Sequence, residues 1–314
     1  MKNVQRELTR NLLWAAAGYA RSGMALMLNS TDLGRNAQAA IGNLAIAAEL
    51  LLKAFIAKQN LMLLFKGLPL ELRCALAAPE AMPESFRPLP YEIDLKASTY
   101  KSLELDEAIN AFCVFFPEFK QRFGSHLRFL ARHRNTCVHA VHPDCREYEV
   151  ERTAFLFLSL AKHIEEVDKK LLRYMNWGEK DENEAFLSRF DEARLNRVHK
   201  KVEEAREKAK GLREKVSLEP EEWDWYPLQC PVCGSDGFVT GETQAELDYD
   251  EDETGGLYLT FLAETFQCEQ CGLKLEDYDE MQIAGVDPDD IDRSDETDKW
   301  AEEHYPDYYD YDPW

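Results

Sequence analysis

The chain has 314 residues, 45% hydrophobic and 31% charged, with 59 acidic against 37 basic side chains and a net charge of −22. That supports one sizeable core plus a smaller module. The absence of a basic-then-apolar leader, and of an uninterrupted apolar run of about eighteen residues, excludes secreted and membrane-spanning readings and predicts a soluble, cytoplasmic protein without a membrane partner.

Taken in chain order, hydrophobic period and breakers predict helices over residues 2–28, 34–65, 102–116, 118–142 and 148–176. The second is the most apolar stretch of the chain, interrupted by Asn43, Glu49 and Lys53. Between it and the third lies a connection with Pro79, Pro83, Pro88 and Pro90. A loop that long is either a lid or substrate-contacting element or simply a surface excursion.

Four of the seven histidines fall between His126 and His142, beside Arg128, Arg132 and Arg134. Within that stretch Asn135 and His139 are four apart and share one helix face, with Arg134 next to Asn135. An arginine offers a fixed fork of donors to a phosphodiester. An imidazole titrating near neutrality can take a proton from a ribose hydroxyl or return one to a leaving oxygen. The plain alternative is that an arginine and a histidine on a helix are solvated or structural, as such short motifs often are.

The residues RNTCVH, from Arg134 to His139, resemble the signature of the HEPN domains (higher eukaryotes and prokaryotes nucleotide-binding), an arginine followed after four to six residues by a histidine. The earlier helix NLAIAAELLLKAFIAKQN, around Glu49 and Lys53, is similar to the HEPN helix that packs against the motif helix. The likeness covers about the first half of the chain. It implies an all-α domain that dimerises so that two motifs face each other, and a metal-independent endoribonuclease. On it, Arg134 binds the scissile phosphate, His139 moves the proton of the attacking 2′ hydroxyl to leave a 2′,3′-cyclic phosphate, and Asn135 orients His139 or substrate. Arg132, His133 and Glu49 are auxiliary, and Arg132 also satisfies the spacing to His139. The setting it implies is a toxin–antitoxin pair or antiviral defence. Toxins of the nucleotidyltransferase-paired subgroup carry a tyrosine two residues beyond the histidine; here that position is Val141.

From Asp181 to Val216 the chain is almost wholly charged, yet Leu195, Val198, Val202, Ala205, Ala209, Leu212 and Val216 alternate steps of three and four. That is a heptad seam. It predicts a coiled coil joining two copies, a helix packed on the helical domain, or a spacer.

Eight cysteines divide into two groups. Cys74, Cys113, Cys137 and Cys145 have no ligand spacing and read as reduced, mostly buried thiols. Cys137 and His139, two apart on a helix, do not face each other as a nucleophile pair would. Cys230, Cys233, Cys268 and Cys271 form two CxxCG knuckles, CPVCG and CEQCG, each with a glycine for the turn. Two such knuckles close a tetrahedral site for a structural Zn2+ and resemble a zinc ribbon, in preference to a redox pair. With four protein ligands there is no open position, so no catalytic metal is expected. Between the knuckles, alternating residues flank an acidic stretch and Gly255–Gly256, which predicts a long β-hairpin with a solvated tip.

Residues 221–314 hold 29 Asp and Glu against 3 Lys and Arg, a net of −26, leaving +4 for residues 1–220. The helical part can therefore meet RNA, whereas the acidic part repels phosphates and suits a basic protein partner or an antitoxin, or folds over the basic cleft. The tail from Asp287 reads as disordered, or as docking through Tyr305, Tyr308, Tyr309, Tyr311 and Trp314.

The expected protein is mainly α: a HEPN-like helical bundle over residues 1–178, a charged helical connector over 179–219, a small β zinc ribbon over 220–285 and an acidic tail over 286–314. The expected function is an RNA-cleaving homodimer. The alternative is a non-catalytic HEPN and zinc-ribbon adaptor in which the helical domain dimerises and the ribbon binds a basic partner.

Overall fold

Helix α2 (Leu33–Gln59) is apolar over most of its surface: thirteen hydrophobic positions from Ala37 to Ala57 are at most 1% exposed, while Ile46 and Leu50 are half-buried and Ala39 is exposed. A helix that apolar must be covered on most of its sides. Helices α1 (Lys2–Asn29), α3 (Leu105–Phe115) and α5 (Glu147–Val167) cover it. Where α1 crosses α2, Gly23 permits the close approach, since a Cβ there would meet Leu44 Cγ at 2.6 Å. Helix α4 (Pro117–His139) follows α3 after Phe116.

The computed structural model describes residues 2–29, 33–66, 101–139, 147–169, 180–212, 215–218, 224–248, 256–291, 293 and 296–304. The proline-rich connection, Cys74, Cys145, Val141 and the tail aromatics Tyr305 to Trp314 lie outside them. The chain divides into two units: residues 1–120 with 126–190, and residues 121–125 with 191–314. It is mainly helical, with a small antiparallel four-stranded sheet near the C-terminus.

In the first unit an aromatic cluster joins the helices. Phe112 meets Phe55 at 5.3 Å and Phe119 at 5.1 Å edge-on, and His163 of α5 lies 4.6 Å from Phe119. Asn36–Gln59 is long and apolar enough to cross a membrane by length and composition, where the sequence reading found no such stretch. It is mostly buried within the unit, and its Lys53 donates to Glu49 at 2.6 Å, so both charges are carried inside the core.

Several boundaries differ from expectation for local reasons. The second helix ends at Gln59 because extended Asn60 accepts from the Met62 N–H, starting a short 3-10 turn at Leu61–Leu64. The third begins at Leu105, where Glu107 accepts from the Glu104 N–H, while Ser102 bridges to Phe65. The charged helix, α6 (Lys180–Ala209), stops before Gly211. Beyond it, residues 215–218 run along the ribbon: the Asp236 N–H donates to the Val216 carbonyl, and the Leu218 N–H donates to Asp236.

In the second unit β1 (Trp225–Gln229), β2 (Asp236–Asp248), β3 (Gly256–Gln267) and β4 (Lys274–Leu275) pair in sequence order. The β2–β3 hairpin matches the expected one, with a register shift at Thr240/Gly241. The heptad seam does not call for a second copy. Val198 and Ala205 are buried among Val239, Phe266 and Leu275 of the ribbon, with Val202 and Ala209 packed against the same core. The seam's outer positions, Leu195, Leu212 and Val216, stay 37–42% exposed.

The described part of the tail, up to His304, is also more ordered than its composition predicts. Helix α7 (Tyr278–Ala284), a 3-10 turn at Pro288–Asp290 and helix α8 (Thr297–His304) follow the sheet, and Trp300 and Ala301 are buried. Arg293, 2% exposed, donates to the Trp225 carbonyl at 2.6 Å and lies over the rings of Tyr226 and Phe261. A buried cation on two aromatic faces supplies the anchor that the aliphatic-poor tail otherwise lacks.

Candidate functional site

The buried face of α4 is set by Leu127, Leu130 and Ala131. Helical spacing puts Arg134 one turn further along that face. Its guanidinium reaches Glu49 of α2 at 3.2 Å, and the side chains of Arg134 and Glu49 are 26% and 10% exposed. Glu49 is shared. Its other oxygen accepts from Lys53 at 2.6 Å, and Lys53 also donates to the Ser102 hydroxyl at 3.2 Å. Near the end of α4, Gln38 of α2 donates to the Cys137 carbonyl at 3.0 Å. Helices α2 and α4 are thus held together by a carboxylate between two cations and by a side-chain amide.

Of the sequence-derived residues, Arg134 and Glu49 come together. Arg132 is exposed. His133 packs against Phe129 with ring centroids 4.0 Å apart and planes tilted by 39°, and Arg152 of α5 covers the same phenylalanine at 4.2 Å. Asn135 and His139 belong to α4, but their side chains lie outside the described residues. By register, position 139 is about 140° round the helix from position 134. Cys113 is buried, and desolvation pushes its thiol up to about 11, which makes it a poor nucleophile.

Reasoning from sequence left Lys53, Ser102 and Gln38 out of the candidate site. The available signal was the i, i+4 pair Glu49 and Lys53 inside an apolar helix, since charges there survive only in pairs.

In the second unit the two knuckles are near copies of each other. The Gly234 N–H donates to the Cys230 carbonyl at 2.9 Å and the Gly272 N–H to the Cys268 carbonyl at 2.8 Å; both glycines have φ of +71°, the left-handed region that glycine enters without strain. The four sulfurs lie within 4.8 Å of one another, with Cys230 to Cys271 and Cys233 to Cys268 both at 3.5 Å. These are no disulfides, whose sulfurs stand about 2 Å apart. They are close to the ~3.8 Å edges of a tetrahedron with metal–sulfur bonds of about 2.3 Å.

The electrostatics also fit a cation. Burial pushes the Cys230 thiol far up and Cys271 up to about 11, so a buried thiolate set requires a compensating positive charge. Burial acts in the same sense on Cys233, but hydrogen bonds from Ser235 and Cys268 more than offset it and lower that thiol. Two lysines from the segment before the ribbon reach the knuckles: Lys215 Nζ lies 2.7 Å from where a Cβ on Gly234 would stand, and Lys208 Nζ 3.1 Å from that of Gly272.

Helix α6 is bound to this unit by buried charge. Glu280, fully buried, accepts from Arg197 at 2.9 Å and Lys201 at 2.7 Å, and Asp279 pairs with Arg194. Against known proteins, the chain matches no family model, no curated protein and no solved structure.

Proposed function

We propose that the helical unit is a metal-independent endoribonuclease of the HEPN type, acting as a cytoplasmic homodimer in a toxin or antiviral-defence role, and that the four-cysteine cluster holds a structural Zn2+. The observation that carries the nuclease reading is the Glu49–Arg134–Lys53 cluster. Glu49, Lys53 and Arg134 together carry one net positive charge at the motif helix, and Glu49 fixes the direction of Arg134. A pre-oriented guanidinium in a partly dry setting stabilises charge developing on a phosphate without reorganising first.

In the proposed reaction the 2′ oxygen attacks phosphorus and the bond from phosphorus to the 5′ oxygen breaks, which leaves a 2′,3′-cyclic phosphate and a 5′ hydroxyl. His139 accepts the 2′ proton, and a proton must reach the leaving 5′ oxygen. In a dimer whose two motifs face each other, the second His139 supplies it. Asn135 orients His139 or the substrate, and Arg132 adds positive charge at the exposed face. The cluster of four thiolates, with no open coordination position, supplies folding energy and takes no part in the step.

A second reading, a non-catalytic interaction protein, is favoured by one feature: Arg134 is engaged with Glu49 on the face towards α2, well round the helix from position 139. The deciding experiment is cleavage of mixed single-stranded and transfer RNA in EDTA, with zinc content checked, by wild type, His139→Ala and Arg134→Ala. A nuclease loses about 10²–10⁴-fold in rate on loss of His139 while keeping fold and RNA affinity, and its products carry cyclic phosphate ends. Absence of cleavage by folded, zinc-loaded wild-type dimer assigns the interaction role instead.

A further inference from the structure

The face of the ribbon sheet that points away from its core is built around two aromatic residues. Trp225 of β1 stands opposite Thr240 of β2, and Phe238, two residues from Thr240, shares that face. With Val216 and Leu218 of the segment beyond α6, they line a cleft of about 360 Å3. Asp236 fixes that wall in place by accepting from the Ser217 hydroxyl and the Leu218 N–H, both at 3.0 Å.

The rim is acidic. Asp224, Asp236 and Glu269 all line the cleft, and no basic residue is found among the described lining residues. The nearest lysine in sequence, Lys215, has its ammonium beside Gly234 of the first knuckle. Asp224 and Glu269 are exposed, and Trp225 and Phe238 are half-buried where they line the cleft.

Aromatic faces beside carboxylates attract cations, and a planar guanidinium suits both because it stacks on rings and forks onto a carboxylate. We propose that this cleft takes an arginine side chain from a basic segment of a partner protein. A nucleic acid is disfavoured by the −26 carried by residues 221–314, which repels phosphates. The proposal is independent of the nuclease reading, as none of its residues belongs to the motif helix.

The test is calorimetric titration of the full chain with two nine-residue peptides that differ only at the centre. Both carry flanking lysines; one has arginine in the middle and the other citrulline, its neutral isostere. The expected result is at least about tenfold tighter binding of the arginine peptide. Asp224→Asn with Glu269→Gln should abolish that preference, whereas Glu302→Gln with Glu303→Gln, an equal loss of charge on exposed positions of α8, should keep it. Equal binding of the two peptides, no binding of either, or equal loss in both double variants overturns the proposal. So does displacement of the arginine peptide by an oligoribonucleotide, which would assign the cleft to nucleic acid.

Discussion

Glu49 shows how one side chain can organise a site from inside a core. It is 7% exposed, as is Lys53, and it meets Lys53 and Arg134 with different oxygens. Removing the carboxylate leaves two cations facing each other in a low-dielectric setting, a far worse state than the intact set. Glu49→Ala is therefore expected to cost about 3–5 kcal/mol in urea unfolding, whereas Arg132→Ala, on the exposed side of the same motif, stays within about 0.5 kcal/mol. A Glu49→Ala protein as stable as wild type would remove the cluster from any account of the site. The charge pair was legible as two ionic residues in an apolar run, and Arg134 as the motif arginine preferred to Arg132 because Asn135 follows it; the contact between Arg134 and Glu49 was not, because the two are 85 residues apart in the chain.

Helix α6 illustrates the same limit for a whole element. Its period of three and four residues specifies a face, and any apolar surface of matching shape can cover that face. The cover is the ribbon of the same chain: Val198 and Ala205 are at most 2% exposed, while Leu195 on the seam's edge is 42% exposed. Glu280, Arg197 and Lys201 then fix the register of the helix on α7. A coiled coil would need Leu195 and Val198 alike, so the two positions separate the cases. Val198→Asp should destabilise the second unit by more than about 3 kcal/mol through a buried unpaired charge, and Leu195→Gln should change it by less than about 0.5 kcal/mol. Thermal unfolding followed at the ribbon tryptophans measures both, and equal sensitivity would return the seam to an intermolecular role.

At the scale of the whole molecule, the two units differ in what holds them together. The first rests on a continuous helical core around α2. The second has a small sheet whose two turns converge on four thiols, and burial disfavours the charged form of Cys230 and Cys271 unless a cation is bound. Small cores with such a site commonly draw much of their stability from the metal. Stripping the metal with a strong chelator should abolish amide exchange protection in β1–β4 and in α6 after Asp191, and leave protection in α1, α2 and α5 intact. Unchanged protection throughout, with metal loss verified, would show that the ribbon stands on its apolar contacts alone.

The sequence by itself determined what depends on neighbours along the chain. Both knuckles, their left-handed glycines, the hairpin between them and the existence of most helices follow from residues a few positions apart, where backbone sterics and periodicity act directly. The tertiary structure alone decided the partners. It put Glu49 against Arg134, the charged helix on the ribbon, Arg293 over Tyr226 and Phe261, and Trp225 and Phe238 on one acidic cleft. Those outcomes depend on which surfaces meet across long stretches of chain, and complementarity of that kind is a property of the packed molecule that no local pattern encodes.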